Sequence, residues 1–557
     1  MSSGRRRALL VLLTGVALAL FLRALPLYWS SYPSTLDGFD YAWFAQTAAE
    51  TGGLVFEMRA DNLGFTVLLS VVTVLTDTLA VRVIQPLATV IGASICFVAA
   101  VIARRVVRDY GYRDAFATKV GAVTAVLLAI QGLFLRRTSV PDEEILGILL
   151  VITLAFALHL ALRSSGPRWW AVVVPILVVF PLTHTFSTFI AALVVTALVV
   201  RHLSVRLSIR SLPGPGALSA GFWAYMFFYY RYAEASTPLS VPYVDRVTTY
   251  PGLFLAWIIV LAIGIVWVQR TGLRIKRVSY LAVAGSFFAI VGVNAISPIF
   301  PGTTATPRTI LILVSFLGAF AVIAALGLDI FGAYRGGVIP TAVFLAPVTI
   351  IGFGLTASLT PEYYDTVMRA QTFLHIPVAL LGGVVIVRLL ERAAQSTSRR
   401  LLRLSLVAVV LLATLATAPL AYLTMDTATV PSTTYESEFE GVRFASTHSD
   451  GVWVSDHSLT RVGVHYFRHP IAVTGVASWL TGGPSPQCPV VSQRSWTTTG
   501  AHLFPTAPET VDTDTYERWT TTRNVVYANS GNDPVVISKP TGESTCHASP
   551  ESTAHVN

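Results

Sequence analysis

Apolar runs of about 20 residues recur along most of this 557-residue chain, and they constrain its fold more than any other feature. Such a run is long enough to cross the hydrocarbon core of a bilayer as a helix. Because lipid offers backbone groups no hydrogen-bond partner, the runs must be helical. We expect thirteen membrane-spanning helices, at residues 8–28, 80–102, 117–135, 145–162, 169–183, 185–200, 216–231, 251–269, 279–296, 309–327, 338–357, 371–390 and 404–423.

The positions of arginine predict the orientation of these helices, since basic residues favour cytoplasmic loops. The apolar stretch 62–77 decides which of the following loops face the cytoplasm and which face outside. If it crossed the membrane, the basic loop 104–113 would face outside, so we expect it to lie in the interface. The N-terminus is then cytoplasmic, the C-terminus lies outside the cytoplasm, and a long first outer loop covers residues 29–79. These features predict a multi-pass protein of the cell membrane.

The composition changes after Tyr422. Residues 424–557 carry 13 acidic and 7 basic residues, and their short alternating apolar runs are typical of strands joined by turns. We therefore predict a transmembrane domain, 1–423, and an extracytoplasmic domain, 424–557, which ends in a disordered tail at 541–557. The predicted fold class is a mainly α polytopic membrane protein with a small α+β domain. We expect one helix at 435–446 and strands at 452–454, 461–466, 471–476, 524–527 and 535–538.

Several function classes lack residues in this sequence. No basic stripe with interleaved aromatic residues occurs after Tyr422, so we expect no nucleic-acid partner. No P-loop, HExxH or nucleophile-elbow string occurs either, which disfavours ATP-driven, zinc-dependent and serine-hydrolase chemistry. Of three cysteines, Cys96 lies in an apolar run, where we expect it to pack. Cys488 and Cys546 fit either a disulfide or two free thiols.

The first candidate for chemistry is the acidic string Asp37-Gly38-Phe39-Asp40-Tyr41 in the first outer loop. Aspartate is a favoured N-cap, so one interpretation is that an aspartate here only begins an interfacial helix. The functional interpretation is a general base. A carboxylate partly desolvated at a membrane surface has a raised pKa, which suits it to take a proton from a sugar hydroxyl. The sequence leaves open whether Asp37 or Asp40 is that base.

A second acidic string, Asp142-Glu143-Glu144, follows Arg136 and Arg137 at the start of a predicted helix. Acidic residues stabilise a helix N-terminus, which is one explanation of the string. A helix start needs only one acid, however, and here three follow two guanidiniums. The string therefore predicts a site that positions an acceptor or holds a hard divalent ion, Mg or Mn, through oxygen ligands.

Arginines on the predicted outer face oppose the orientation trend. Arg137, Arg308 and Arg369 are candidates for binding a phosphate, because a guanidinium forms two parallel hydrogen bonds with it. Arg136 is a further candidate. Pairing with a lipid headgroup or a nearby carboxylate is the alternative for each. His184, in a tight turn between two predicted helices, is either structural or part of the same site.

On these residues the chain resembles the membrane glycosyltransferases of the GT-C superfamily, which includes oligosaccharyltransferase catalytic subunits. The pattern of that superfamily is an acidic motif in a long first outer loop, a second acidic motif before the fourth helix, and often an arginine before a late span. The resemblance implies that Asp37 is the first aspartate, that Asp142 and Glu144 are the acidic pair of the second motif, and that Arg369 lies near the substrate. Thirteen spans and an outer C-terminal domain match the oligosaccharyltransferase layout.

One departure from that layout concerns the acceptor. Oligosaccharyltransferases carry a Trp-Trp-Asp-Tyr-Gly motif in the C-terminal domain, and no such string occurs here. The chain therefore resembles more closely the archaeal dolichol phosphate-mannose mannosyltransferases. That resemblance implies inverting transfer of mannose from dolichyl- or polyprenyl-phosphate-mannose to a glycan on a surface (S-layer) glycoprotein, a step of N-glycosylation. An oligosaccharyltransferase remains an alternative. A secondary transporter or flippase is another, although transporters place ionisable groups near the midplane.

Overall fold

The computed structural model describes most of the chain, with mainly helices before residue 423 and a mixture of helices and strands after residue 432. This confirms the predicted fold class. The domain boundary that we predicted between residues 423 and 424 lies within 423–432, which are outside the described residues. The described residues are 3–54, 60–164, 167–206, 213–237, 241–301, 305–332, 336–395, 400–422, 433–449, 451–471, 474–503, 508–542 and 544.

Long α-helices account for nearly all of the first part, and short 3₁₀ helices join some of them. The α-helices there are α1 (Ser3–Ala24), α2 (Pro26–Trp29), α3 (Asp37–Thr51), α4 (Leu63–Thr76), α5 (Ala80–Asp109), α6 (Asp114–Ile130), α7 (Gly132–Thr138), α8 (Glu143–Arg163), α9 (Trp170–Val179), α10 (Thr185–Arg206), α11 (Pro213–Ser236), α12 (Pro242–Thr249), α13 (Pro251–Arg270), α14 (Leu273–Asn294), α15 (Arg308–Ala324), α16 (Val338–Ala357), α17 (Pro361–Gln395) and α18 (Arg400–Leu415).

The number of membrane-spanning helices is smaller than the sequence predicted. Within the described residues, ten helices are long and apolar enough to cross a membrane, or eleven if α6 and α7, which meet at a bend of 76°, form one span. The run predicted at 169–183 belongs to the short helix Pro167–Leu182, and α11 is rich in Gly, Pro and Tyr, which lower its hydropathy. α4 has 14 residues and reaches only about 21 Å, so it does not span a core of about 30 Å, as we expected for 62–77.

Small residues bring the central helices α5, α6 and α17 into close contact. A Cβ atom added to Gly121 of α6 would lie 2.6 Å from the carbonyl oxygen of Ala100 in α5. A Cβ atom added to Gly383 of α17 would lie 2.8 Å from the Thr124 hydroxyl of α6. Membrane helices attract one another mainly through such close packing, because lipid removes the hydrophobic driving force between them.

The C-terminal part contains four described helices and one three-stranded antiparallel sheet of strand order β1-β3-β2. In the register, Val490 of β1 faces Ser538 of β3, and the pairing of β2 with β3 is irregular between Val525 and Tyr527. The helix predicted at 435–446 is present as α19. The elements are α19 (Glu436–His448), α20 (His457–His465), α21 (Thr474–Leu480), β1 (Val490–Gln493), α22 (Thr513–Thr521), β2 (Asn524–Ala528) and β3 (Val535–Lys539).

Only two of the predicted strands are strands. β2 and β3 occur where expected, whereas the strand predicted at 461–466 is part of α20, because the carboxylate of Asp456 caps that helix and accepts the Leu459 N–H at 3.1 Å. Among the described residues of the run 471–476, Ile471 forms an isolated bridge with Trp453 and the residues from Thr474 onward belong to α21. In 452–454, Trp453 and Val454 form isolated bridges. The sequence did not predict β1.

The cysteines are partly described. Cys96 is buried and free, as expected. Cys488 is disulfide-bonded, which agrees with one of the two alternatives. Its predicted partner Cys546 lies outside the described residues, as do residues 545–557 of the predicted tail.

An aromatic stack joins the C-terminal part to the first loop. Phe439 of α19 stacks on Tyr32, with ring centroids 4.2 Å apart, and Phe39 of α3 lies against both rings. Beside the stack, the Arg82 guanidinium lies 2.7 Å from the Glu436 carboxylate. The C-terminal part therefore rests directly on α3, the helix that begins with the first acidic motif.

Candidate active site

The two acidic motifs lie side by side. The Thr35 hydroxyl donates a hydrogen bond of 3.3 Å to the carbonyl oxygen of Pro141, 106 residues later in the chain. Gly38 permits this approach, because a Cβ atom there would lie 2.5 Å from Pro33 and 3.2 Å from Pro141. Asp37, at the start of α3, is thereby brought next to the loop that carries Asp142.

Asp37 and Asp40 have different surroundings. Asp37 is exposed at the first turn of α3. Asp40 is only 7% exposed, and its carboxylate accepts a hydrogen bond of 2.8 Å from the Arg468 guanidinium of the C-terminal part. That guanidinium lies over the Trp43 ring, 3.8 Å from the ring centroid. Asp40 thus joins the two parts of the protein, whereas Asp37 is accessible to a substrate.

The second acidic motif begins α8. Asp142 is the N-cap of the helix, and its Oδ1 atom accepts the Glu144 N–H at 2.9 Å. Glu143 is also buried, at 5% exposure. Glu144 is only 1% exposed, and neither of its carboxylate oxygens accepts a hydrogen bond from the described residues. Two guanidiniums face it instead, that of Arg137 at 3.8 Å and that of Arg369 at 3.6 Å.

These two arginines share one carboxylate but keep donors to spare. Arg369, on α17, also contacts Asp365 at 3.2 Å, and its side chain is 28% exposed. The Arg137 side chain is 33% exposed. A guanidinium carries five N–H donors, so both groups retain donors for an anion that enters beside Glu144. The geometry suits an incoming phosphate.

His184 belongs to the same cluster. It is 3% exposed, and its Nδ1 atom accepts the Ser187 N–H at 3.3 Å, with the Ser187 hydroxyl 2.9 Å away. Burial lowers the pKa of His184, and the charge of Arg369 lowers it further against the opposing effect of Glu144 and Asp142. The imidazole is therefore neutral at pH 7 and holds its second nitrogen as a donor.

At the Asp142 carboxyl, neighbouring groups outweigh the effect of burial on the pKa. Burial alone would raise its pKa, but His184 in its protonated form, the Arg369 guanidinium and the hydrogen bond from the Glu144 backbone N–H lower the pKa below its ordinary value. Asp142 is therefore ionised at the pH of a cell surface. The cluster combines a fixed carboxylate, a neutral imidazole and two guanidiniums.

Two predicted arginines lie apart from this cluster. Arg308 begins α15 and is exposed, and Arg136 is exposed in the last turn of α7. Within the described part of the chain, neither forms an ion pair or hydrogen bond with the two acidic motifs. Of the predicted site residues, the structure brings together Asp142, Glu143, Glu144, Arg137, Arg369 and His184. It places the loop of Asp37 beside Pro141, pairs Asp40 with Arg468 instead, and leaves Arg308 and Arg136 apart.

The donors of this cluster fit a divalent ion poorly. No group of three or more His, Cys, Asp or Glu side chains with the arrangement of a metal site occurs among the described residues. One oxygen of Asp142 is already occupied by the Glu144 amide, and Glu144 faces two positive charges. Placing a divalent cation there would set like charges a few ångströms apart.

Two residues that the sequence analysis missed hold the motifs in place. Gln85 of α5 accepts the Ser34 N–H at 3.1 Å and donates to the Ser139 carbonyl oxygen at 2.7 Å. Arg23 of α1, fully buried, donates two hydrogen bonds to the Thr138 hydroxyl at 2.7 and 3.1 Å. The sequence signal for such a residue is a polar side chain inside an apolar run, because a polar side chain that lacks a partner there has a high free energy.

Comparisons with known proteins indicate the fold of this chain. No protein-family model matches it, and no curated protein is similar to it in sequence. The archaeal oligosaccharyltransferase AglB from Archaeoglobus fulgidus, solved in complex with an inhibitory peptide and a dolichol-phosphate, is similar over 84% of this chain, with a TM-score of 0.50 and 11% identity. The apo form of the Archaeoglobus fulgidus oligosaccharyltransferase is similar over 88%, with a TM-score of 0.51 and 13% identity.

The match covers only part of each oligosaccharyltransferase chain. This chain spans 65% of the AglB chain in the complex and 70% of that in the apo form. At these identities the similarity shows a common fold. The chain therefore shares the membrane fold of these oligosaccharyltransferase structures.

Proposed function

We propose that this protein is a membrane glycosyltransferase, which transfers one mannose from dolichyl- or polyprenyl-phosphate-mannose to the glycan of a surface glycoprotein. The observation that carries the proposal is the exposed Asp37 carboxylate beside a cluster in which Arg137 and Arg369 retain donors for a phosphate. A solved relative in fold binds a dolichol-phosphate, which supports a lipid phosphate as the leaving group. The single mannose and its acceptor rest on the family resemblance.

Asp37 is the proposed general base. It would take the proton of an acceptor hydroxyl while that oxygen attacks the anomeric carbon of mannose. The bond from that carbon to the phosphate oxygen breaks, and its electron pair leaves with the lipid phosphate. One displacement inverts the anomeric carbon. The products are the free lipid phosphate and a glycan longer by one mannose.

Arg369 and Arg137 are the proposed phosphate-binding groups. Their guanidiniums would stabilise the negative charge that develops on the departing phosphate. Glu144 holds both of them from the buried side, which keeps the two like charges together before the donor binds. Asp142 would orient the acceptor from the neighbouring helix start, and His184 would donate a hydrogen bond from its second nitrogen.

The site is proposed to face the outside of the cell membrane. α5 runs about 45 Å from Ala80, near the site, to a basic end at Arg104, Arg105 and Arg108. Basic ends favour the cytoplasm. We therefore propose an N-terminus in the cytoplasm and a C-terminal domain, from about residue 424, outside it. A glycoprotein acceptor would approach from that side.

An oligosaccharyltransferase is the second candidate, and the shared fold with AglB favours it. Such an enzyme would transfer an entire glycan to asparagine. The absence of the Trp-Trp-Asp-Tyr-Gly string from this sequence argues against it.

A transfer assay tests the proposal. Membranes that contain the full chain are supplied with labelled polyprenyl-phosphate-mannose and a surface glycoprotein, with and without a chelator. We expect a mass gain of one hexose, and its loss in Asp37→Asn. Transfer of a whole glycan from a lipid-linked oligosaccharide would establish the second candidate instead. Absence of both products would contradict glycosyl transfer, and loss of transfer in the presence of the chelator would show that a divalent ion takes part.

A further inference from the structure

A second concave site lies away from the acidic cluster, between the end of the first span and the C-terminal domain. Its volume is about 540 Å³, within the range of roughly 300–1,000 Å³ that is usual for small-molecule sites. Tyr28 and Trp29 form one side, and Glu436, Glu440 and Asn532 belong to the other. We call this cavity the interface groove.

Aromatic rings on one side of the interface groove pack against neighbouring rings. The Tyr28 side chain is 85% exposed, and its ring meets that of Trp29 edge to face at 5.7 Å. Trp29 in turn packs on Tyr422 at 5.9 Å. Across the groove, Tyr527 stacks on Phe444 at 4.4 Å. Aromatic rings fixed in this way offer apolar contact area at a low cost in side-chain entropy.

The polar side of the groove is rich in hydrogen-bond acceptors. Glu436 is paired with Arg82 and accepts from the Tyr32 hydroxyl at 3.1 Å, and Glu440 is paired with Arg443. Each carboxylate has about four acceptor positions, so both retain some for a ligand. The described residues that line the groove include no lysine or arginine. A phosphate or carboxylate would therefore face carboxylates that are already paired, with no lysine or arginine among the lining residues to bind it.

We propose that the interface groove binds a neutral oligosaccharide, namely the part of the acceptor glycan that lies behind the sugar being extended. A sugar ring combines apolar C–H faces, which suit Tyr28 and Trp29, with hydroxyl donors, which suit the carboxylates and amides opposite. This inference rests on the proposed function, because it assumes a glycan as acceptor.

The position of the groove agrees with that role. Its wall at Ser30 and Ser31 leads directly to Tyr32, which stacks on Phe439, and Phe39 of α3 lies 6.1 Å from the Phe439 ring. One aromatic layer thus separates the groove from the helix that begins with Asp37. The groove and the first acidic motif therefore lie on the two sides of the same aromatic layer.

Binding is measured on the full chain in detergent, without donor, by saturation-transfer NMR and titration. The probes are α-mannotriose and a trimer of galacturonic acid, which is anionic. We expect mannotriose to bind and the anionic trimer to bind at least about tenfold more weakly, since a difference of 1.4 kcal/mol is a factor of ten. Tyr28→Ala should weaken mannotriose binding by roughly the same factor through loss of a ring face. Asn532→Ala should also weaken it.

Tyr232→Ala is the matched control, because Tyr232 is a similarly exposed tyrosine, at 62%, on α11 and outside the groove. It should bind mannotriose as the wild type does. Equal binding by wild type and Tyr28→Ala, or equal binding of both probes, would overturn the inference. So would loss of mannotriose binding in nanodiscs of anionic phospholipid, which would identify the occupant as a lipid headgroup.

The transfer assay separates this inference from the proposed function. If wild type transfers a hexose but the groove variants bind mannotriose normally, the groove assignment alone is wrong. If mannotriose binds in a Tyr28-dependent way but no hexose is transferred, the glycosyltransferase proposal alone is wrong.

Discussion

The side-chain amide of Gln85 donates a hydrogen bond of 2.7 Å to the backbone carbonyl oxygen of Ser139. The same side chain accepts the backbone N–H of Ser34, so one buried residue of α5 holds the loop before each acidic motif. Displacement of a catalytic group by about 1 Å can cost on the order of 100-fold in rate. We therefore expect Gln85 to position the two motifs.

Replacing Gln85 should disturb the spacing of the motifs. We expect Gln85→Leu to reduce the kcat of hexose transfer by about 10- to 100-fold, with a smaller change in the KM for the lipid donor, because the phosphate-binding arginines stay in place. Steady-state transfer kinetics measure both constants. Gln269→Leu is the control, since Gln269 lies near the C-terminal end of α13, a helix that carries neither acidic motif. A normal kcat in Gln85→Leu would show that the two hydrogen bonds do not position the motifs.

The two aspartates of the first motif should separate in function. Asp37→Asn should lower transfer by about 100-fold or more, the usual contribution of a general base, and should lower the melting temperature less than Asp40→Asn does, because Asp37 is exposed and Asp40 is buried. Asp40→Asn should instead lower the melting temperature, since it deprives the half-buried Arg468 guanidinium of its charged partner. Transfer assays and thermal unfolding in detergent distinguish them. The reverse pattern would make Asp40 the base.

The arginines should differ according to their position. Arg369→Gln should reduce kcat/KM for the lipid donor by about 100- to 1,000-fold, because a charge that stabilises the leaving phosphate is lost. Arg308→Gln is the comparison, and we expect a change of less than about threefold, since Arg308 is exposed and lies apart from the cluster. Initial rates over a range of donor concentrations give both values. Equal losses in the two variants would mean that Arg308 also reaches the donor.

The C-terminal domain should be sensitive to acid. Burial lowers the pKa of His457 to about 4, and the nearby Arg461 and His502 lower it in the same direction. The unfolded chain therefore binds a proton on this residue at a higher pH than the folded chain does. Its contribution to stability is complete above the ordinary histidine pKa of about 6.5 and is lost as the pH falls toward 4.

His457→Phe tests this dependence. The variant keeps a ring against His502, whose centroid lies 5.0 Å from that of His457, but cannot take a proton. Between pH 7 and pH 4.5 its melting temperature should fall less than that of wild type. If the melting temperature of His457→Phe falls as much as that of wild type, the acid sensitivity arises elsewhere.

The sequence by itself determined the fold class and the location of the acidic motifs. Hydropathy over about 20 residues is a local property, so the apolar runs identified most of the long helices. Two predictions failed because they depended on the ends of a helix. The helix at 169–183 is too short to span the membrane. The predicted strand at 461–466 belongs to α20, whose N-terminus is capped by Asp456. Both depend on where a helix begins and ends, which hydropathy does not report.

Only the tertiary structure separated Asp37 from Asp40. The two residues look alike in sequence, because the arginine that pairs with Asp40 lies 428 positions away. In the same way, the sequence shows Gln85 only as a polar residue in an apolar run. Its hydrogen bonds to the backbones of Ser34 and Ser139 form only in the folded chain. A residue type sets which hydrogen bonds and charges are available. Which groups receive them depends on long-range packing, since burial and distance arise only after the helices have assembled.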